Sequence, residues 1–271
     1  MPSPAGSDIS IAYDDSGEGP AILFLHGIFV SKAQWEAQAR AFSRDHRVIA
    51  CDLRGHGESP ASAEPYSVQL FAEDVARLLD GLGLDRVVCC GHSFGGMVAQ
   101  ELALRRPELV RGLVLAETIY GVASTPLEAT LSRAASLAFG AVQPRWLMTG
   151  LAACFGAISP GGAQRIEEEA KRHLEDEANA LNILRASMRF DSRWRLHEID
   201  CPTLLVVGQI PHVPLVMAQS WEMFWRIKGA RLTVVPFAGH MVHWDNPAWF
   251  NRLLGDFVDR LPQAEAPRSS P

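Results

Sequence analysis

Apolar positions in this chain follow two rhythms. Compact apolar runs at 21–26, 46–51, 86–90, 112–117, 202–208 and 231–236 read as buried strands. Between them lie stretches with apolar residues at helical spacing. The segment 31–44 offers Ala33, Trp35, Ala37 and Ala41 for packing, and 68–82 carries Leu70/Phe71, Val75 and Leu78/Leu79 on one face. Further helices are predicted at 96–106, 214–226 and 247–260. Residues 10–13 are expected to begin a small hairpin, with the turn-rich segment 14–19 as its exit. Strand and helix in alternation predict an α/β fold: a mostly parallel sheet with helices on both faces.

The alternation stops near residue 119 and resumes near 190. The intervening residues predict four helices, at 125–139, 144–155, 161–174 and 175–188. The expected organisation is a core formed by 1–120 and 191–262 with an inserted helical cap over 121–190. The Pro/Ser-rich tail, 263–271, is expected to lack a fixed structure. No internal repeat is evident.

Composition narrows the function classes. A chain of 271 residues with 48% hydrophobic content and a net charge of −6 describes a soluble globular protein able to bury a sizeable core. It has no basic stripe of the kind nucleic-acid binding needs, and no apolar run long enough to span a bilayer. The first residues lack the charged-then-apolar build of a signal peptide. The cysteine count of 5 is odd, and Cys51, Cys89 and Cys90 fall in predicted core strands, which fits a reducing compartment, hence a cytoplasmic protein. Cys89 and Cys90 cannot share a metal, because adjacent strand residues point to opposite faces. No compact His/Cys/Asp cluster is present, so neither a metal nor another cofactor is implied.

The chemistry is concentrated in Gly91-His92-Ser93-Phe94-Gly95, a G-x-S-x-G sequence placed between a predicted strand and a predicted helix. A turn this sharp forces a strained backbone on Ser93 and needs glycine on either side. Its hydroxyl then stands above the sheet edge and can attack a carbonyl once a base takes its proton. Three further segments accompany it: Ala21–Ile28 ending in His26-Gly27, Asp52-Leu53-Arg54-Gly55-His56-Gly57-Glu58-Ser59, and Gly239-His240-Met241-Val242-His243. In this order the chain, over about residues 7 to 260, resembles the α/β-hydrolase fold superfamily, in its small bacterial esterase, haloperoxidase-like and C–C hydrolase branch.

The resemblance implies a serine-dependent acyl transfer on an apolar small molecule. His240 matches the family's histidine loop and is expected to be the base, since imidazole can accept and return a proton near neutral pH. The oxyanion donors would be the amides of Phe94 and Ile28, which leaves the side chains of Ile28, Phe29 and Phe94 free to shape an acyl pocket. Trp146 and Met148 of the cap, together with Trp221, Phe224 and Trp225 of the later helix, are expected to line the crevice between cap and core. Asp52 and the glycines beside it read as structural, as does His26. His92 is expected to point away from the serine, and His243 to pack behind His240.

The acid departs from the family pattern. Its usual position, three residues after the glycine closing strand 202–208, is Pro211, and no Asp or Glu occurs between Cys201 and Trp221. Glu117 closes the strand after the nucleophile helix. A subset of the superfamily, including zearalenone-type lactonases, places its acid at that strand end, so the resemblance assigns the role to Glu117. Asp191, Asp200 and Asp245 are weaker candidates, and Asp245 is expected to cap the helix that opens at Pro247. An ester or lactone hydrolase is the leading expectation; C–C hydrolysis, perhydrolysis, cofactor-free oxygenation or lyase chemistry, or slow-turnover ligand binding, are the alternatives.

Overall fold

The computed structural model describes residues 10–122, 162–210 and 214–261. Its elements, in chain order, begin with β1 (Tyr13–Ser16), β2 (Ala21–Leu25), a 3₁₀ turn (Lys32–Trp35) running into α1 (Glu36–Phe42), β3 (Arg47–Cys51) and α2 (Val68–Gly81). They continue through β4 (Val87–His92), α3 (Phe94–Arg105), β5 (Val110–Ala116), α4 (Gly162–His173) and α5 (Glu177–Arg189). The last are β6 (Thr203–Gly208), α6 (Pro214–Arg226), β7 (Arg231–Val235), the single turn α7 (Val242–Asp245) and α8 (Pro247–Asp259).

Among the described residues one seven-stranded sheet runs in the order β1-β3-β2-β4-β5-β6-β7. Every pairing is parallel except that of β1 with β3. Because side chains alternate along a strand, each central strand feeds two separate cores. Leu23, Ile49, Cys89, Leu113 and Leu205 pack beneath α2 and α3, against Phe71, Val75 and Leu102. Ile22, Val48, Cys90, Val114 and Val206 pack on the other face, against Trp35, Phe250 and Leu254. Cys89 and Cys90 thus lie on opposite faces, and both thiols are pushed up by burial, so neither is a nucleophile at neutral pH.

Two local expectations are corrected. Residues 14–16 are not a turn: with Tyr13 they form β1, which pairs antiparallel with β3 from Tyr13↔Cys51 to Ser16↔Val48. No hairpin with β2 exists, because β2, buried at every position, takes the parallel slot between β3 and β4. All four β1 residues are exposed, and Asp15 meets Arg47 at 2.7 Å across that edge. Helix 31–44 divides into the 3₁₀ turn and the shorter α1.

The register sets the site. Leu25 lies opposite Gly91 and His92 opposite Ala116, so β2, β4 and β5 end together and release His26, Ser93 and Glu117 along one edge. In open parallel sheets ligands bind in the crevice outside the carboxyl ends of the strands. Of the expected cap, α4 and α5 are described; the expected helices at 125–139 and 144–155 lie outside the described residues. Both described helices hold the loop after β3. His173 Nε2 accepts from Gly57 N–H at 3.1 Å, Asn179 donates to Gly55 O at 2.8 Å, and Asn182 pairs with Glu64 O and Tyr66 N–H.

Candidate active site

The turn between β4 and α3 carries the backbone the sequence required. Ser93 has φ 52° and ψ −116°, a region that side-chain-bearing residues seldom enter. A Cβ at Gly91 would lie 2.3 Å from Gly95 O, and one at Gly95 would lie 2.3 Å from Leu25 O, so only glycine fits at either place. The conformation is pinned from several sides. Ser93 N–H donates to Ala116 O at 2.9 Å, and Ser93 O accepts from Thr118 Oγ1 at 2.6 Å as well as from Gly96 N–H at 2.9 Å.

Glu117 also has a positive φ, 48°, which turns its side chain off the end of β5. Its two oxygens are divided. Oε1 accepts from Gly208 N–H at 2.5 Å, and Oε2 faces His240 Nδ1 at 3.2 Å. The amide that closes β6, the strand on which the family's usual acid follows, therefore holds the glutamate in place. Glu117 is 7% exposed and His240 4%, so the pair is screened from bulk water. An Nδ1–H donated to the carboxylate leaves the His240 Nε2 lone pair available to accept a proton. Asp245, expected as a helix cap, instead accepts from Gly239 N–H at 2.9 Å and steadies the histidine loop. The cap of α8 is Asn246, whose side chain accepts from Trp249 N–H. Asp191 accepts from Arg193 N–H, and Asp200 is exposed ahead of β6.

Phe94 is the first residue of α3, where backbone amides have no intrahelical carbonyl to bind. Ile28 is half-buried in the loop leaving β2. Next to it Phe29 has φ 55°. The rings of Phe29 and Phe94 are turned into the core: Phe94 meets Phe71 edge-on at 5.0 Å, and Phe29 lies 6.2 Å from His56. Trp146 and Met148 lie outside the described residues. Trp225, expected to line the crevice between cap and core, is 78% exposed on α6.

The loop is braced by His26, whose Nδ1–H donates to Gly27 O at 2.7 Å while Nε2 accepts from Leu53 N–H at 2.9 Å. Burial, only partly offset by Asp52, lowers its pKa to about 4. Burial likewise lowers His56, His92, His173 and His243. These histidines take up protons at lower pH in the folded chain than in the unfolded one, where they titrate near 6.5, so the unfolded state binds more protons below that pH. Stability is therefore expected to be full above pH 6.5 and to fall as the pH drops below it. For His26 alone the loss is about 1.4 kcal/mol at pH 5.5, and the other four act in the same direction. Urea midpoints at pH 7.5 and 5.5 measure this; equal midpoints would show that these rings are charged in the folded protein.

The sequence model for proteins of the alpha/beta hydrolase fold matches residues 20–157. The chain belongs to this family. A protein from Variovorax paradoxus, named a putative carbamate hydrolase RutD, is 32% identical over 255 residues, covering 90% of this chain and 93% of that protein. Among solved structures, Est816, described as an N-acyl homoserine lactone degrading enzyme, is 31% identical with a TM-score of 0.78, covering 93% of this chain and 99% of that one. A thermophilic esterase from Thermogutta terrifontis is 26% identical with a TM-score of 0.79, and 93% of each chain is covered.

Against the α/β-hydrolase framework, three contributors escaped the sequence reading. Thr118 binds the Ser93 carbonyl, Gly208 N–H binds the Glu117 carboxylate, and His92 reaches across to the histidine loop. Each acts between segments distant in sequence, and no local signal marks them. No helix among the described residues is long and apolar enough to cross a membrane, and no group of three or more His, Cys, Asp or Glu among them could hold a metal.

Proposed function

We propose that this α/β hydrolase cleaves a carboxylic ester or lactone of a mainly apolar small molecule through an acyl-enzyme on Ser93. The observation that carries the reading is the buried Glu117–His240 contact of 3.2 Å beside the elbow. Ser93 Oγ attacks the carbonyl carbon as His240 Nε2 takes its proton. The tetrahedral oxyanion is held by the amides of Phe94 and Ile28, donors worth about 2.7–4 kcal/mol each in related chemistry. His240 returns the proton to the departing alkoxide. Water, deprotonated by the same histidine, then releases the acid. Glu117 keeps the imidazole in the productive tautomer and stabilises its cation. Residues 121–190 form the lid that sets substrate choice, with α4 and α5 as its attachment to the loop 52–66.

The lactone- and ester-directed names of two similar structures support this chemistry. A carbamate is the second reading, favoured by the name of the Variovorax relative. The same attack on a carbamate ester would expel its alcohol and leave a carbamoyl-enzyme, whose hydrolysis gives a carbamic acid that breaks down to an amine and carbon dioxide. The test is a panel of p-nitrophenyl esters of rising acyl length, N-acyl homoserine lactones and an aryl carbamate, with a fluorophosphonate to mark the nucleophile. Ester or lactone turnover with an adduct on Ser93 is expected. Selective carbamate turnover would favour the second reading, and an adduct elsewhere would overturn the site.

A further inference from the structure

His92 precedes the nucleophile and closes β4, so the pleat directs its ring to the opposite face from Ser93, the face of Cys90, where His243 lies between it and Trp35. There it meets the histidine loop. Its Nε2 lies 2.8 Å from the main-chain oxygen of His240, a carbonyl that can only accept, so Nε2 carries the proton. The ring centroids of His92 and His240 are 4.8 Å apart, and that of His243 lies 4.9 Å from His92 on another side. His92 Nδ1 faces the oxyanion loop closely enough that a Cβ on Gly27 would come within 3.0 Å of it. One buried ring, 2% exposed, therefore touches the strand end that carries Ser93, the loop that carries the base and the loop that follows β2.

Resting on the serine-hydrolase reading above, we infer that His92 is a positioning residue: its Nε2–H anchors the main chain of His240 and keeps the base aligned between Glu117 and Ser93 through the proton transfer. His240 is then held at two points, by carboxylate on Nδ1 and by His92 on its carbonyl. The anchor must itself stay uncharged, because His240 becomes a cation at a ring separation of 4.8 Å. The surroundings enforce this. Burial and then the neighbouring His240 hold the His92 pKa well below its ordinary value, and the titratable groups facing the ring are His240, His243 and His26. A histidine suits the task because its neutral ring combines a fixed N–H donor with the flat shape the packed face demands.

The experiment compares His92→Phe, which keeps a flat ring without the donor, with His92→Gln, whose amide can reach as far as Nε2. Misplacing a reacting group by about 1 Å costs about 10²-fold in rate, so His92→Phe is expected to lower kcat on p-nitrophenyl butyrate by about 10- to 10²-fold with KM little changed. The acidic limb of its pH profile should also move, and His92→Gln should recover much of the loss. A folded His92→Phe with unaltered kcat and pH profile would overturn the inference, as would a glutamine variant no better than phenylalanine. Imidazole ¹⁵N spectra of the unsubstituted protein test it without any variant: His92 is expected as the neutral Nε2–H tautomer near pH 7, and the Nδ1–H tautomer or a cation there would overturn it. Fluorophosphonate labelling of the unsubstituted protein separates this from the site reading. An unlabelled Ser93 sinks that reading, whereas a labelled Ser93 with an indifferent His92→Phe sinks only the anchor.

Discussion

Replacing Ser93 by alanine is expected to lower ester turnover by about 10⁴- to 10⁶-fold; removing a triad nucleophile costs about 10⁶ in a serine protease. The substitution deletes one oxygen and leaves the scaffold intact. Alanine has the same Cβ as serine, so the backbone at φ 52° is no more strained than before. The hydrogen bonds that fix the turn, from Ser93 N–H to Ala116 O and from Thr118 and Gly96 to Ser93 O, are made by the main chain of residue 93 and survive. Thermal stability should therefore change little. Any residual rate would come from the oxyanion amides and from binding, which in related enzymes still give 10³–10⁴ over water. Burst kinetics with p-nitrophenyl butyrate, together with intact-mass analysis for an acyl adduct, measure the effect. Turnover within tenfold of the parent would mean that another group makes the covalent bond, or that none does.

The fold was legible because its strands are almost uniformly apolar and its glycines fall where backbone must pass close to backbone. Gly91 and Gly95 could be read as obligatory from spacing alone, and the structure gives the clash that each avoids. The misread element, β1, is short and wholly exposed, so Asp14-Asp15-Ser16 carries turn chemistry in its sequence while the edge of β3 decides its conformation. Tertiary pairing overrode local preference there. In the candidate site, local patterns point to Ser93 within its elbow and to His240 after the last strand. Contacts between distant segments left no such mark. Asp245 looked like a cap because it stands two residues before Pro247, yet its carboxylate turns back to Gly239 and Asn246 takes the capping role. His92 looked like a bystander because alternation turns it from the serine; the same alternation delivers it to the loop of His240. The side-chain pattern thus gives direction, but not what lies in that direction.

Glu117 is the residue on which the departure from the family pattern turns, and Glu117→Gln is expected to lower kcat by about 10²- to 10⁴-fold with KM nearly unchanged. A comparable amide substitution in a serine protease costs about 10⁴ through the wrong histidine tautomer. The geometry explains why an amide should fail here. The carboxylate accepts twice, from Gly208 N–H at 2.5 Å and from His240 Nδ1–H across 3.2 Å. Glutamine has one accepting atom and one donating group, so it can serve only one of these partners. If its oxygen keeps Gly208, its NH₂ faces His240 Nδ1, which must then become an acceptor. The imidazole proton moves to Nε2, the atom that should receive the proton of Ser93. If the amide flips, two N–H donors confront each other at Gly208, and a buried donor left without a partner costs about 1–3 kcal/mol. Either way the imidazolium formed during acyl transfer loses its counter-charge in a site screened from water. Glu117→Asp keeps the charge but shortens the reach by one methylene, so it should retain more activity than the amide. A folded Glu117→Gln with full kcat would show that the acid serving His240 lies elsewhere in the chain or is not needed. An aspartate variant no better than glutamine would show that charge and reach from the end of β5 are both required, since the amide keeps the reach and the aspartate keeps the charge.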